Sequence, residues 1–366
     1  MNEHLLLNNF NKQKKYHFLL LFALTNILIY GFFKDFYFFL FLLIVLIYVY
    51  KKHIPYKIIL IYFHIALIIV LIKFFINDFI FFDFLNLSLD KIFNINLRKR
   101  IIDGILNFYD EYGSAMISLT IFNIKNNNIS WEIYQNINNM SITYLIVIGG
   151  FQISFINIVI KKIIKNKKYS YYFSLLITII FSYFLNFSPS IMRVLMCLIL
   201  TKIFKNIKNK YDIVSLSGLL IIISGPECMF NYGFCMSYAC SLIIIYISEQ
   251  QINNYFIEKI LIDIVTVLIT LPFVALMNKN ISLWTIFFSF AFSYFFIFLF
   301  FLYLFTFWIV WFPFLLNGVS YIVYSTLSNI QNINIKIPLF ISTNLFMIIY
   351  YYIYFICIIL YERIKK

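Results

Sequence analysis

Arg193 stands among apolar residues in NFSPSIMRVLM, and the planar fork of its guanidinium suits the holding of an anion. Ser188, Pro189 and Ser190 precede it by about one turn. Hydroxyls flanking a proline predict a helix start, with capping at Ser188 and Pro189 in the first turn. At full bilayer depth an arginine costs roughly 2.5–3.5 kcal/mol, so Arg193 is expected to face a partner or an aqueous path, or else to snorkel to the headgroups. Two more polar clusters interrupt the apolar chain. In GGFQIS, Gly149 and Gly150 precede Gln152 and Ser154, a pattern that permits a helix broken beside a cavity or tight helix packing through bare backbone. In GPECMFNYGFCMS, Gly225 and Pro226 are expected to end one helix, Asn231 and Gly233 to make a turn, and Phe234 and Ser237 to open the next.

The elements that position these clusters must be membrane helices. With 366 residues, 63% hydrophobic and 12% charged, and a mean hydropathy of +0.89, the chain has more apolar surface than one water-soluble core can hide. Roughly 20 apolar residues cross a bilayer as a helix. The expected spans are 17–33, 36–50, 57–76, 143–160, 170–186, 190–204, 211–224, 234–248, 260–277 and 338–361. The uncharged run 281–312 is expected to fold as a hairpin of two abbreviated helices. The total is about eleven or twelve transmembrane helices in an all-α, polytopic integral membrane bundle.

The net charge of +14 lies mostly in short loops: NKQKK, Lys51 to Lys57, KKIIKNKK, Lys202 to Lys210, and ERIKK. That distribution predicts a multi-pass protein of the cytoplasmic membrane with these loops and both termini inside. NKQKK before a long apolar stretch predicts a retained signal anchor. Residues 77–142 then fall outside. Within them RKRIIDGILNFYDEYGSAMISLTIF repeats Ile101, Ile105, Phe108, Tyr112, Met116 and Leu119 at helical spacing. One or two amphipathic helices are expected there, lying in the interface or packed on the mouth of the bundle. NIKNNNIS is expected to be a turn. The expected segments are therefore 1–76 (N-terminal helices), 77–142 (extracytoplasmic), 143–280 (core) and 281–366 (C-terminal helices).

Other chemistries find little support. His4, His17, His53 and His64 all lie in the first fifth of the chain and form neither HExxH nor HxHxDH, which argues against a metallohydrolase. Cys197, Cys228, Cys235, Cys240 and Cys357 are expected to be small hydrophobic packers, with a Cys228–Cys235 bridge as the alternative. Asp263 is expected to pair with Lys259 near the inner end of its span. No P-loop is present, and neither a cofactor nor a metal is implied. The abundance of Phe, Ile, Asn, Lys and Tyr follows the codon bias of an AT-rich genome, so the aromatic content carries little weight.

In order and spacing the three clusters resemble the ComEC competence-protein family. That family's H-L-L-A-x-S-G-x-H-x-S block has its counterpart in YLIVIGGFQIS at 144–154, and its G-F-S-P-S-x-x-R-A helix start in NFSPSIMRVLM at 186–196. Its proline followed by G-F-Q-L-S-F corresponds to Pro226 followed by GFCMSYA at 233–239. Upstream, RKRIIDGIL and SWEIYQNINNMSITY look like the amphipathic region before the first block, and TLPF at 270–273 resembles a T-L-P turn. The likeness thus covers residues 97–280. The family's two histidines fall on Tyr144 and Gln152, its serine on Gly149, its glycine on Asn186, its alanine on Val194 and its later glutamine on Cys235. A role needing those imidazoles is not carried over.

The resemblance implies a membrane channel that imports single-stranded DNA during natural transformation, lined by the 143–160, 190–204 and 234–248 helices. Its channel candidates are Gly149, Gly150, Gln152, Ser154, Tyr183, Ser188, Pro189, Ser190, Arg193, Gly233, Phe234 and Ser237. Phe151, Tyr183 and Phe234 are candidates to stack bases, with core or lipid packing as the alternative. Implied partners are single-stranded DNA, membrane lipids, a separate cytoplasmic helicase or other ATPase, and a separate DNA receptor or nuclease. The rival functions are a secondary transporter of a small anionic solute, with Arg193 as counter-charge, and a lipid-linked glycan polymerase.

Overall fold

The computed structural model describes residues 17–33, 42, 45, 49, 56–75, 97–125, 127–143, 145, 149–204, 209–225, 228, 230–250, 252, 254–307, 309 and 311–338. The described residues are helical throughout, apart from one short ribbon and the turns, in keeping with an all-α class. In chain order the helices are α1 (His17–Phe33), α2 (Tyr56–Phe75), α3 (Leu97–Phe108), α4 (Glu111–Phe122), α5 (Asn128–Asn139), α6 (Gly149–Ile163) and α7 (Lys167–Phe184). There follow α8 (Pro189–Ile203), α9 (Lys210–Ser224), α10 (Tyr232–Glu249), α11 (Tyr255–Asn278), α12 (Thr285–Thr306) and α13 (Pro313–Ile333). Strands β1 (Asn280–Ser282) and β2 (Lys336–Pro338) pair antiparallel, Ile281 opposite Ile337. Most of the spans expected at 36–50 and 338–361, together with Pro226 and Cys357, lies outside the described residues. Helices α10 and α12 are long and apolar enough to cross a membrane.

Two compact units form. One comprises residues 1–81, 196–245 and 342–366, the other 82–195 and 246–341. In the first unit α1 packs on α2 and on α9. Close approach there depends on Gly218, where a Cβ would lie 2.4 Å from the ring of Phe22. Thr25 and Asn26 are buried in α1 and send their side chains back to the carbonyls of Leu21, at 3.1 Å, and Phe22, at 2.8 Å. Polar side chains in an apolar helix are satisfied in this way.

In the second unit α4 is the central element, in contact with α3, α5, α12 and α13. Every residue from Gly113 to Phe122 is buried. Two helices, α3 and α4, form over the stretch where one or two were expected, but the amphipathic reading is corrected for α4, which belongs to the core. The reason is its small side chains. Gly113, Ser114, Ala115 and Ser118 let neighbours close in, and a Cβ on Gly113 would meet Asn317 Oδ1 at 2.1 Å. A helix without a polar face must be buried on all sides. Helix α3 does keep two faces, but Ile105 lies on the buried one while Phe108 is 55% exposed.

The turn expected at NIKNNNIS is present. Asn123 ends α4 in the left-handed region at φ 52°, and Asn127 opens α5 with a capping box to Ser130. The far end of α5 is clasped by the ribbon. Asn278 Nδ2 donates to Asn138 O at 2.7 Å, Asn334 Nδ2 to Asn139 O at 2.7 Å, and Ser282 N to Ser141 Oγ at 3.0 Å.

Two further expectations are corrected. The run 281–312 is not a hairpin: α12 is one helix of 22 residues, since nothing between Thr285 and Thr306 breaks it. Helix α13 then begins at Pro313, a first-turn proline whose missing N–H needs no partner there. TLPF is not a turn either, because Pro272 lies inside the 24-residue α11. Membrane helices tolerate an internal proline where neighbouring groups satisfy the freed carbonyl. Thr270 Oγ1, nearby, donates to Thr266 O at 3.0 Å.

Candidate functional site

The chain reverses sharply before Arg193. Helix α7 ends at Leu185 with Asn186 and Phe187 both left-handed, at φ 54° and 46°. Phe187 N donates to Ser182 O at 2.7 Å and Asn186 N to Tyr183 O at 3.2 Å. This pair of bonds is a Schellman closure, which places a left-handed residue just past the helix end. The family pattern has glycine at that position. Asparagine is among the few other residues that adopt this conformation readily, so Asn186 preserves the turn. Phe187 is 7% exposed, and its burial offsets the strain of a second left-handed residue.

Ser188 then starts α8 through its backbone, its carbonyl accepting Ile191 N and Met192 N, each at 3.0 Å. Pro189 is the first helical residue, as expected. Ser190 is buried, and Arg193 is half-buried one turn further on.

The first two clusters meet here. A Cβ on Gly150 would lie 2.7 Å from the carbonyl oxygen of Ser190 and 3.1 Å from its carbonyl carbon. Of the two readings of the glycine pair, close backbone approach is realised: Gly149 and Gly150 are both helical in α6. Gln152 is buried in the same helix, two residues on. Ser154 is half-buried and donates its hydroxyl proton to Gly150 O at 2.7 Å, leaving its oxygen free to accept. Tyr183 is half-buried at the end of α7, with its ring 5.8 Å from that of Phe184. The side chain of Phe151 lies outside the described residues.

Helix α7 runs beside α6 with inverted polarity. Its buried residues are Ser170, Ser174, Thr178 and Ser182, each four positions after the last. Its exposed face holds Tyr172, Phe173, Leu176, Ile179 and Ile180. Hydrocarbon outside and hydroxyls inside is the arrangement lipid demands and water forbids. Asn157 of α6 enters this row, its Nδ2 donating to Thr178 Oγ1 at 3.3 Å. Neither the row nor Asn157 was anticipated. The signal was the four-residue repeat of hydroxyls in KKYSYYFSLLITIIFSYF, masked by the apolar residues between.

The third cluster lies in the other compact unit. Asn231 opens α10, its Oδ1 accepting Gly233 N at 2.8 Å, so the expected turn and helix start are both present. Phe234, 2% exposed, packs its ring 4.5 Å from Tyr238 and 6.5 Å from Phe22. That is a core position. Ser237 is buried as well. Tyr238 shares a 3.0 Å hydrogen bond with Ser217, to which Cys197 of α8 donates at 3.4 Å. These three residues join α8, α9 and α10 within that unit, and sequence reasoning missed them. Cys197, Cys228, Cys235 and Cys240 form no disulfide among the described residues, which removes the Cys228–Cys235 bridge. Asp263 receives a bond from Tyr294 Oη at 3.3 Å, a partner not foreseen alongside Lys259.

The comparisons with known proteins bear on all three clusters. A family model described as "Competence protein" matches residues 125–365, which take in GGFQIS, NFSPSIMR and GPECMFNYGFCMS. An uncharacterized protein of Mycoplasma genitalium is 22% identical over 227 residues, covering 61% of this chain and 60% of that protein. The chain thus spans under two-thirds of the length of that relative. No solved structure matches it. With well over half of its residues matched, this chain belongs to the competence protein family.

Proposed function

We propose that the protein acts in DNA uptake during natural transformation, as a multi-pass channel that passes one strand inward across the cytoplasmic membrane. The observation that supports this most is the family match over residues 125–365. The geometry adds to it. In the second unit, the Gly150–Ser190 contact brings the two clusters richest in hydrogen-bonding groups together at the start of α8, where Arg193 follows. A strand bears one charge per phosphate, so its path needs cationic and hydroxyl contacts weak enough to release it. Arg193, Gln152, Ser154 and Ser190 are suited to that task. Phe234, packed against Phe22 and Tyr238, serves better to hold α10 than to stack a base.

Basic loops place both termini in the cytoplasm in this reading. The chain has no nucleotide-binding loop, so a separate cytoplasmic helicase or other ATPase pulls the strand, and a separate receptor or nuclease prepares it. The test is Arg193→Gln at normal membrane levels, with internalised labelled DNA as the readout. One charge-assisted hydrogen bond contributes about 1.5–3 kcal/mol, so uptake should fall roughly tenfold or more at subsaturating DNA. Undiminished uptake would reject the phosphate contact, and a transformation frequency unchanged by deletion of the gene would reject the function.

A further inference from the structure

We propose that water occupies the seam between α6 and α7, making it a hydrated polar track inside the second unit. This rests on the channel reading for its purpose but not for its evidence. Four hydroxyls, Ser170, Ser174, Thr178 and Ser182, are the buried residues of α7. Small residues at four-residue spacing by themselves indicate only close helix packing. The further observation is the hydrogen-bond inventory. Asn157 is 5% exposed and is held against the row by its bond to Thr178, yet its Oδ1 is buried with no partner among the described residues. Ser170 Oγ and Ser174 Oγ are buried in the same condition, with Ser170 3% and Ser174 0% exposed.

A lone serine in an apolar helix discharges its hydroxyl onto the carbonyl four residues back, as Ser182 does to Thr178 O and Thr178 to Ser174 O, each at 2.7 Å. Ser170 and Ser174 do not, and Asn157 keeps an acceptor idle beside them. Buried polar atoms in such number, along one helix contact, are the sites at which proteins hold ordered water. The chemistry is specific: two hydroxyls that both donate and accept, and one amide oxygen that accepts, with no carboxylate or imidazole in the row. Such a set binds water and neutral hydrogen-bonding groups. At its α7 start the row adjoins the exposed Lys167 and Lys168, which keeps that end wet. For a strand passing nearby, hydrated hydroxyls give the weak, repeated contacts that conduction requires.

The experiment uses the full chain in its membrane, with a small charged methanethiosulfonate as the probe and peptide mass spectrometry to separate the new thiol from the five native cysteines. Ser174→Cys and Ser170→Cys are nearly isosteric, and either one suffices if the other fails to insert. Lys168→Cys is the exposed reference, and Ile179→Cys, on the opposite and apolar face, is the lipid reference. Only a thiolate in water reacts, so Ser174→Cys should react within about tenfold of Lys168→Cys and roughly a hundredfold faster than Ile179→Cys. Reaction of both serine variants as slow as Ile179→Cys would overturn the proposal. Fast labelling in a protein whose gene deletion leaves transformation unchanged would keep the hydrated seam and remove the channel. Slow labelling in a protein that transformation requires would do the reverse.

Discussion

Replacing Gly150 by alanine sets two effects of opposite sign against each other. In a helix interior the change gains about 0.5–1 kcal/mol, because glycine loses more backbone freedom on folding. Against it stands the Cβ, 2.7 Å from Ser190 O. Ordinary contact begins near 3.4 Å, so α6 and α8 must part by about 0.7 Å (3.4 − 2.7) at this point. The obstacle is backbone at a helix start fixed by Pro189 and by the Asn186 turn, not the end of a flexible side chain. Overpacking of this kind costs about 1–3 kcal/mol, and a backbone obstacle belongs in the upper half of that range. The net expectation is a loss of about 1–2.5 kcal/mol, the clash outweighing the propensity gain. Gly104 and Gly318 are the controls: a Cβ at either meets nothing within 4 Å, and both are helical without positive φ. Gly104→Ala and Gly318→Ala should therefore each gain about 0.5–1 kcal/mol. Unfolding of the purified protein in mixed micelles, titrated with denaturing detergent, reads all three against the parent. A Gly150→Ala protein as stable as Gly104→Ala would refute the close-approach argument, and with it the joining of the first two clusters.

Other expectations follow from the same geometry. Asn186→Gly should stabilise by up to about 1 kcal/mol, and Asn186→Val should destabilise by about 1–2 kcal/mol, since the left-handed turn at φ 54° favours a residue without Cβ and penalises a branched one; the same micelle titration measures both. Asn334→Ala should loosen the clasp, leaving Asn139 O and the buried Ser282 hydroxyl without their bonds, at about 1–3 kcal/mol. Hydrogen exchange should then rise at the end of α5, and unchanged protection there would count against the clasp. At the exposed rim Tyr324 Oη donates to Glu132 Oε1 at 2.9 Å, and that bond raises the phenol above its ordinary pKa of 10.0. Because the folded value exceeds the unfolded one, the α5–α13 tie contributes below pH about 10 and is lost as the pH rises through the folded value. Glu132→Gln should return the Tyr324 titration, followed by labelled-tyrosine NMR, toward 10.

Much of this fold was legible because the signals were local and strong. Lysine-flanked apolar runs gave α1, α2, α7, α9 and α10 to within a few residues, and Pro189 marked a helix start by a first-turn preference that needs no tertiary context. What failed was whatever depended on a neighbour. Helix α4 carries an apolar stripe and some polar residues, which reads as amphipathic until α13 and α12 are seen to cover the remainder. Helix α13 was missed altogether. Its Asn317, Ser320, Ser325 and Ser328 dilute the hydropathy below that of a span, although Pro313 announced its start. The β1–β2 ribbon joins residues more than fifty positions apart, and three-residue strands leave no periodicity to find.

The functional clusters divide along the same line, and the division explains why motif spacing was a better guide than residue identity. At position 186 the family's glycine is replaced, yet the left-handed turn survives, because asparagine meets the same backbone requirement. At position 150 the glycine is retained, and the structure shows why: no side chain fits against Ser190. A sequence comparison treats these as one loss and one match, whereas physically both preserve a single arrangement, the reversal that lays the start of α8 on α6. The histidine positions now held by Tyr144 and Gln152 have no such equivalent, since neither a phenol nor an amide titrates near neutral pH. If the family's histidines take part in proton chemistry, this chain works without it there. What it keeps at that turn is shape, hydroxyls and one arginine, the groups on which the proposed path relies.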